Sequence, residues 1–148
     1  MCTMVYLGSH RPLSTIAWCE DHPAFYVESL PPESRDNSVR QHLSGPFVYR
    51  LGSHQYCGCG FQYRYDPEWP DAAVYPDELD AAENSRASLA EYLTDALKNQ
   101  ETLEIWLCWA GDEANDPEAR IHVLPSDFLN PKLFEEEKVL LTVTNTPE

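Results

Sequence analysis

The sequence contains no apolar run approaching the roughly 18 residues that a membrane-spanning helix requires. Its opening, Met1-Cys2-Thr3-Met4-Val5-Tyr6-Leu7, has neither the basic stretch nor the long apolar segment of a secretory leader. There is no internal repeat and no low-complexity tract. Positive charge is scarce: ten Lys and Arg stand against 25 Asp and Glu, a net charge of -15. Such a field repels phosphate backbones and anionic lipid, so direct nucleic-acid binding and membrane binding are not expected. Together these absences predict a cytoplasmic protein.

The composition that remains is that of a folded domain. Of the 148 residues, 43% are hydrophobic and 11% aromatic, which argues against disorder. A chain of this length can bury one contiguous core, and we expect residues 1–148 to form a single globular domain. The acidity is lopsided. Residues 1–74 carry five Lys and Arg against eight Asp and Glu, while residues 75–148 carry five against seventeen. The plain consequence is a solvated surface, and the sharper alternative is an acidic face that docks or inhibits a basic protein partner.

Twelve prolines divide the chain into short elements. Thr3–Leu7, Phe25–Leu30, Phe47–Leu51, Leu103–Trp109 and Val139–Val143 read as strands. In Leu103–Trp109, positions 103, 105, 107 and 109 point one way and 104, 106 and 108 the other. Phe61–Tyr65 alternates aromatic and polar residues, as a half-buried strand does, and Arg120–Leu124 is expected to return as the hairpin partner of Leu103–Trp109. A short helix is expected over about 36–44. The main helix is expected over about 85–99, from the capping pattern Ser88-Leu89-Ala90-Glu91 and the stripe Leu89, Tyr92, Leu93, Ala96, Leu97. Residues 66–83, rich in Pro and Asp, read as a surface loop. The expectation is an α+β fold: a mostly antiparallel sheet of about six short strands with both helices on one face.

Five cysteines, at positions 2, 19, 57, 59 and 108, are an odd and irregularly spaced set, a poor disulfide framework. The densest chemistry lies in His54-Gln55-Tyr56-Cys57-Gly58-Cys59-Gly60-Phe61. Cys-Gly-Cys brings two sulfurs close, and a histidine three residues upstream can fold back over the same turn. Those donors suit a metal, zinc first, if a fourth ligand arrives from elsewhere, and Cys2 or His10 are the best placed. The candidate metal ligands are therefore His54, Cys57, Cys59, Cys2 and His10. Gly8-Ser9-His10 and Gly52-Ser53-His54 each follow a strand ending in Leu, so side-by-side strands would unite the two imidazoles. Against this, structural zinc sites usually carry two wider Cys pairs, and a Gly-rich hairpin with two packed cysteines explains the segment equally well.

Two catalytic readings compete with binding. In one, Cys57 or Cys59 is a nucleophile with His54 as its base, which requires a depressed thiol pKa. In the other, the opening Met1-Cys2-Thr3 resembles the start of the N-terminal-nucleophile amidohydrolases of the bile-salt hydrolase and penicillin acylase type. That resemblance covers three residues, lacks the family's Arg-Asn-Met-Asp-like segment, and the chain is short for that four-layer fold. The best expectation is a non-catalytic binding protein with a Cys/His cluster. The alternatives are an acidic interaction or inhibitor protein and a thiol-dependent enzyme.

Overall fold

A computed structural model describes residues 2–68 and 75–147. Six strands form one sheet: β1 (Thr3–Ser9), β2 (Tyr26–Ser29), β3 (Phe47–Gly52), β4 (Leu103–Trp109), β5 (Ala119–Val123) and β6 (Val139–Val143), in the spatial order β2-β3-β1-β4-β6-β5. β1 lies between β3 and β4 and is antiparallel to both, with Val5 opposite Leu51 on one side and Leu107 on the other. β2 is antiparallel to β3, and β6 to β4. The one main helix, α1 (Pro76–Ala96), joins several isolated 3-10 turns to complete an α+β fold. No helix among the described residues is long and apolar enough to cross a membrane.

Strand alternation sorts the core into two layers. Val5, Leu7, Leu51, Ile105, Leu107 and Leu141 face α1, where Leu89, Leu93, Ala96 and Leu97 cover them. Tyr6, Val48, Trp106, Cys108 and Leu140 face the other way, against Leu30, Val39 and Leu43. The short helical element is a 3-10 turn at Asn37–Gln41 rather than a helix over 36–44. Val39 packs on this second layer, so the two helical elements lie on opposite faces of the sheet, not on one.

Three further departures from expectation have physical causes. Helix α1 starts at Pro76, so residues 76–83 are helical rather than loop; residues 69–74 lie outside the described residues. A proline breaks a helix interior but is harmless in the first turn, where its missing N–H has no partner to lose. Asp77 and Glu78 in that first turn also suit the positive end of the helix dipole. Second, Phe61–Tyr65 is not a strand: Gly58–Gln62 forms a 3-10 turn. Phe61 enters the core against Phe134, with ring centroids 4.8 Å apart, and Arg86 Nη1 donates to the carbonyls of Phe61 and Tyr63. An edge strand would leave those carbonyls for a neighbour; here a buried guanidinium satisfies them.

Third, β5 is not the hairpin partner of β4. It runs parallel to β6, which inserts between them, with Ala119 opposite Val139 and Val123 opposite Val143. The crossover carries two 3-10 turns, Pro125–Leu129 and Pro131–Glu135, that bury Phe128 and Phe134. A parallel pair needs a long connection of this kind, which short-range turn signals do not reveal.

A buried polar network closes the second face. The Tyr6 hydroxyl donates to Asp36 Oδ2 at 2.7 Å, and Arg50 Nη2 binds the same oxygen at 2.5 Å while Nη1 reaches Glu28 at 3.0 Å. Burial raises the Asp36 carboxyl, but hydrogen bonds from Ser34, Arg50 and Tyr6 outweigh it and hold the group below the usual carboxylate range. A carboxyl lowered on folding adds stability above its unfolded pKa, and that stability is lost as pH falls through the folded value. Asp36→Asn is therefore expected to lower stability at pH 7 by about 1–3 kcal/mol. It also flattens the loss of stability between pH ~4 and the lowered folded pKa, read by urea unfolding across that range.

Candidate metal centre

The Cys-Gly-Cys segment is pressed against the start of the central strand. A Cβ on Gly58 would sit 2.7 Å from the Thr3 carbonyl oxygen, and one on Gly60 would sit 2.7 Å from His54 Cε1. Only glycine allows the turn this close to β1 and to its own preceding residues. Gln62 ties the turn down, its Nε2 donating to Thr3 Oγ1 and to the Phe134 carbonyl. On the upstream side, the Ser53 amide and hydroxyl both donate to the Cys57 carbonyl, at 2.9 and 2.7 Å.

This packing brings Cys57 and Cys59 to Cys2. The three sulfurs lie within 4.8 Å of one another, Cys2 exposed and the other two half-buried. None of the five cysteines is in a disulfide. The Thr3 amide donates to Cys59 Sγ at 3.3 Å, a bond that strengthens as the sulfur gains negative charge. Burial, reinforced by the neighbouring Cys59 and Cys2 sulfurs, pushes the Cys57 thiol up to about 11. Three sulfurs each 2.3 Å from a tetrahedral ion stand about 3.8 Å apart, so a modest contraction would close the triangle on a metal.

The two histidines are not part of this cluster. His54 is buried at 8% exposure: Nε2 donates to Glu78 Oε1 at 2.6 Å, and Nδ1 lies 3.2 Å from Ser85 Oγ. Its backbone N–H also donates to Ser85 Oγ at 3.2 Å. The His54 hydrogen bond, opposed by burial and assisted by Gln55, holds Glu78 below the usual carboxylate range. His54 thus pins the 53–57 turn to the first turns of α1. Its partners were hidden by the expectation of a loop over 66–83, which placed Glu78 off the helix. Serine, histidine and glutamate in a row have the composition of a hydrolytic triad, but Ser85 is 2% exposed and beyond the reach of a substrate.

His10 is exposed beyond the far end of β1, its amide donating to Gln100 Oε1 at 3.0 Å. The two Gly-Ser-His segments do not converge. Their strands are antiparallel, Ser9 opposite Phe47 and Val5 opposite Leu51, so the two histidines follow opposite ends of the sheet. Of the five candidate ligands, the fold gathers three cysteines and leaves both histidines elsewhere.

The same arrangement bears on thiol catalysis. A Cys57 thiol raised by burial is protonated at neutral pH, and both ring nitrogens of its would-be base, His54, face Glu78 and Ser85. In metal-free protein, Cys57 is expected to react with iodoacetamide at pH 7 far more slowly than exposed Cys19, and to accelerate as pH approaches 11. Site-resolved mass spectrometry measures this. Gly58→Ala is expected to cost about 1–3 kcal/mol, since the Thr3 backbone that the new methyl group meets cannot rotate away.

No protein-family model matches the chain, and neither a curated protein nor a solved structure matches it.

Proposed function

We propose that the protein binds one thiophilic metal ion through Cys2, Cys57 and Cys59, with zinc as the ion. The convergence of three sulfurs from two distant chain segments carries this reading. Thiolate ligands suit zinc and other soft ions, and an all-sulfur set disfavours magnesium and calcium. A divalent ion also removes the electrostatic obstacle to the site: in a chain of net charge -15, three adjacent thiols give up their protons only as a cation arrives to offset most of the charge. Exposed Cys2 leaves the ion open to water on one side. A metal held by three protein ligands with a remaining position for water or a partner is the arrangement of zinc sites that exchange or act, rather than of closed structural ones. The protein's own part is to hold the sulfurs, supply the Thr3 amide to Cys59, and exclude water behind Cys57.

Reduced cysteines and this donor set fit a reducing, cytoplasmic setting. Because ligation must displace the protons of the thiols, binding weakens as pH falls.

Protein purified without a histidine tag and supplied with zinc is expected to retain one equivalent by elemental analysis. Cobalt in its place is expected to show intense sulfur-to-metal charge-transfer absorption. Cys57→Ser or Cys59→Ser should weaken zinc by more than about 100-fold, beyond the 10–100-fold typical of losing an outer partner. His54→Ala should leave the stoichiometry at one. Absence of stoichiometric zinc in the wild type, or charge-transfer absorption that survives in the double serine variant, overturns the proposal.

A further inference from the structure

The sulfur cluster holds three donors and, among the described residues, no histidine or carboxylate joins them. His54 is committed to Glu78 and Ser85, and His10 lies beyond the far end of β1. The sulfurs come from two backbone segments that are themselves held. Cys57 and Cys59 flank Gly58, whose close approach to Thr3 fixes the turn, and the Cys2 carbonyl accepts from the Ala110 amide at 2.8 Å. Cys2 is exposed while Cys57 and Cys59 are half-buried, so the cluster opens to solvent on the Cys2 side.

Three sulfurs without a fourth donor discriminate between thiophilic elements. Zinc is tetrahedral and must complete its shell with water at the open side. Three thiolates around a divalent ion also leave the site with net negative charge, in a chain already at -15. Trivalent arsenic differs on both counts. It bonds three sulfurs in a pyramid, and its lone pair takes the remaining direction, so no fourth ligand is missing. Three thiolates on a trivalent centre are neutral. At neutral pH the element also arrives uncharged, as arsenous acid, As(OH)3, which an acidic field does not repel.

We propose that Cys2, Cys57 and Cys59 capture trivalent arsenic from arsenous acid. The inference rests on the sulfur set of the zinc reading, not on zinc itself. Each thiol exchanges for one hydroxide: an S–H and an As–O bond break, an As–S bond forms, and the thiol proton leaves with the hydroxide as water. Three exchanges release three waters. Arsenic stays trivalent throughout, so no oxidant or reductant takes part. The sulfurs lie within 4.8 Å of one another, and Cys2, at the exposed corner, closes the triangle by rotating its side chain. Because the fold has already gathered the thiols, the second and third exchanges are intramolecular. A solitary exposed thiol such as Cys19 has no such advantage.

The test uses the metal-free 148-residue chain, reduced with a phosphine and kept free of oxygen, with sodium arsenite as the probe. Native mass spectrometry is expected to show one arsenic gained and three hydrogens lost. X-ray absorption at the arsenic edge is expected to count three sulfur neighbours and no oxygen. Cys2→Ser, a change at an exposed position, is expected to retain the parent circular dichroism spectrum. It should leave one oxygen on arsenic beside two sulfurs and weaken arsenite by more than about tenfold. Cys19→Ser should bind as the wild type does. No arsenic adduct, an oxygen neighbour in the wild type, or undiminished affinity in Cys2→Ser overturns the proposal. Zinc retention is measured on a separate sample, which keeps the two readings apart. Zinc retained without an arsenic adduct overturns this inference alone, and a three-sulfur adduct without zinc retention supports it while the zinc reading falls.

Discussion

The close approach of the Gly58–Gln62 turn to Thr3 decides most of what is distinctive here. Backbone meets backbone where a single methyl group on Gly58 would collide with the Thr3 carbonyl. From that contact follow the position of Phe61 in the core, the hydrogen bonds from Gln62 to Thr3 and Phe134, and the meeting of Cys57 and Cys59 with Cys2. The contact stands on β1, one of the two strands at the centre of the sheet, with paired neighbours on both sides. A cluster built on a frayed edge would move with it. Built on β1, it is anchored by two ladders of backbone hydrogen bonds.

His54 shows how the same turn is held from its other side. A histidine beside two cysteines invites the reading of a third ligand, yet the fold spends it on α1. Glu78 in the first turn and Ser85 two turns later engage both ring nitrogens and the backbone amide. The segment is thereby fixed between sheet and helix. Arg86, one residue after Ser85, caps the carbonyls that follow the turn. Consecutive residues of one helix thus hold both ends of the segment.

The sheet was legible because its signal is local. The alternation in Leu103–Trp109 assigns Ile105 and Leu107 to one layer and Trp106 and Cys108 to the other, as found. Val139–Val143 is bounded as its apolar run implies. What was not legible depends on partners distant in sequence. Pro76 reads as a breaker until the helix behind it is known, and β5 reads as a hairpin strand until β6 takes the place beside β4. Phe61–Tyr65 has the period of a strand, but glycines at 58 and 60 and the guanidinium of Arg86 favour a turn. At the site, Cys2, Cys57 and Cys59 were named because cysteine is rare and chemically specific. The exclusion of His54 and His10 follows from strand direction and from Glu78, and neither is written in the local residues.

Metal ligation and thiol catalysis make opposite electrostatic demands on the same sulfurs. A nucleophilic cysteine needs a positive neighbour before the substrate arrives, so that its thiolate exists at neutral pH. Cys57 has the reverse: burial and two further sulfurs push its thiol up to about 11. Such a group gives up its proton only to something that supplies the missing positive charge, as a bound cation does. The Thr3 amide at Cys59 points the same way, since one backbone N–H stabilises a sulfur that is already anionic but cannot by itself make it so. Crowding three thiols together makes the site a poor nucleophile, while it gathers three sulfur donors within the reach of a single ion.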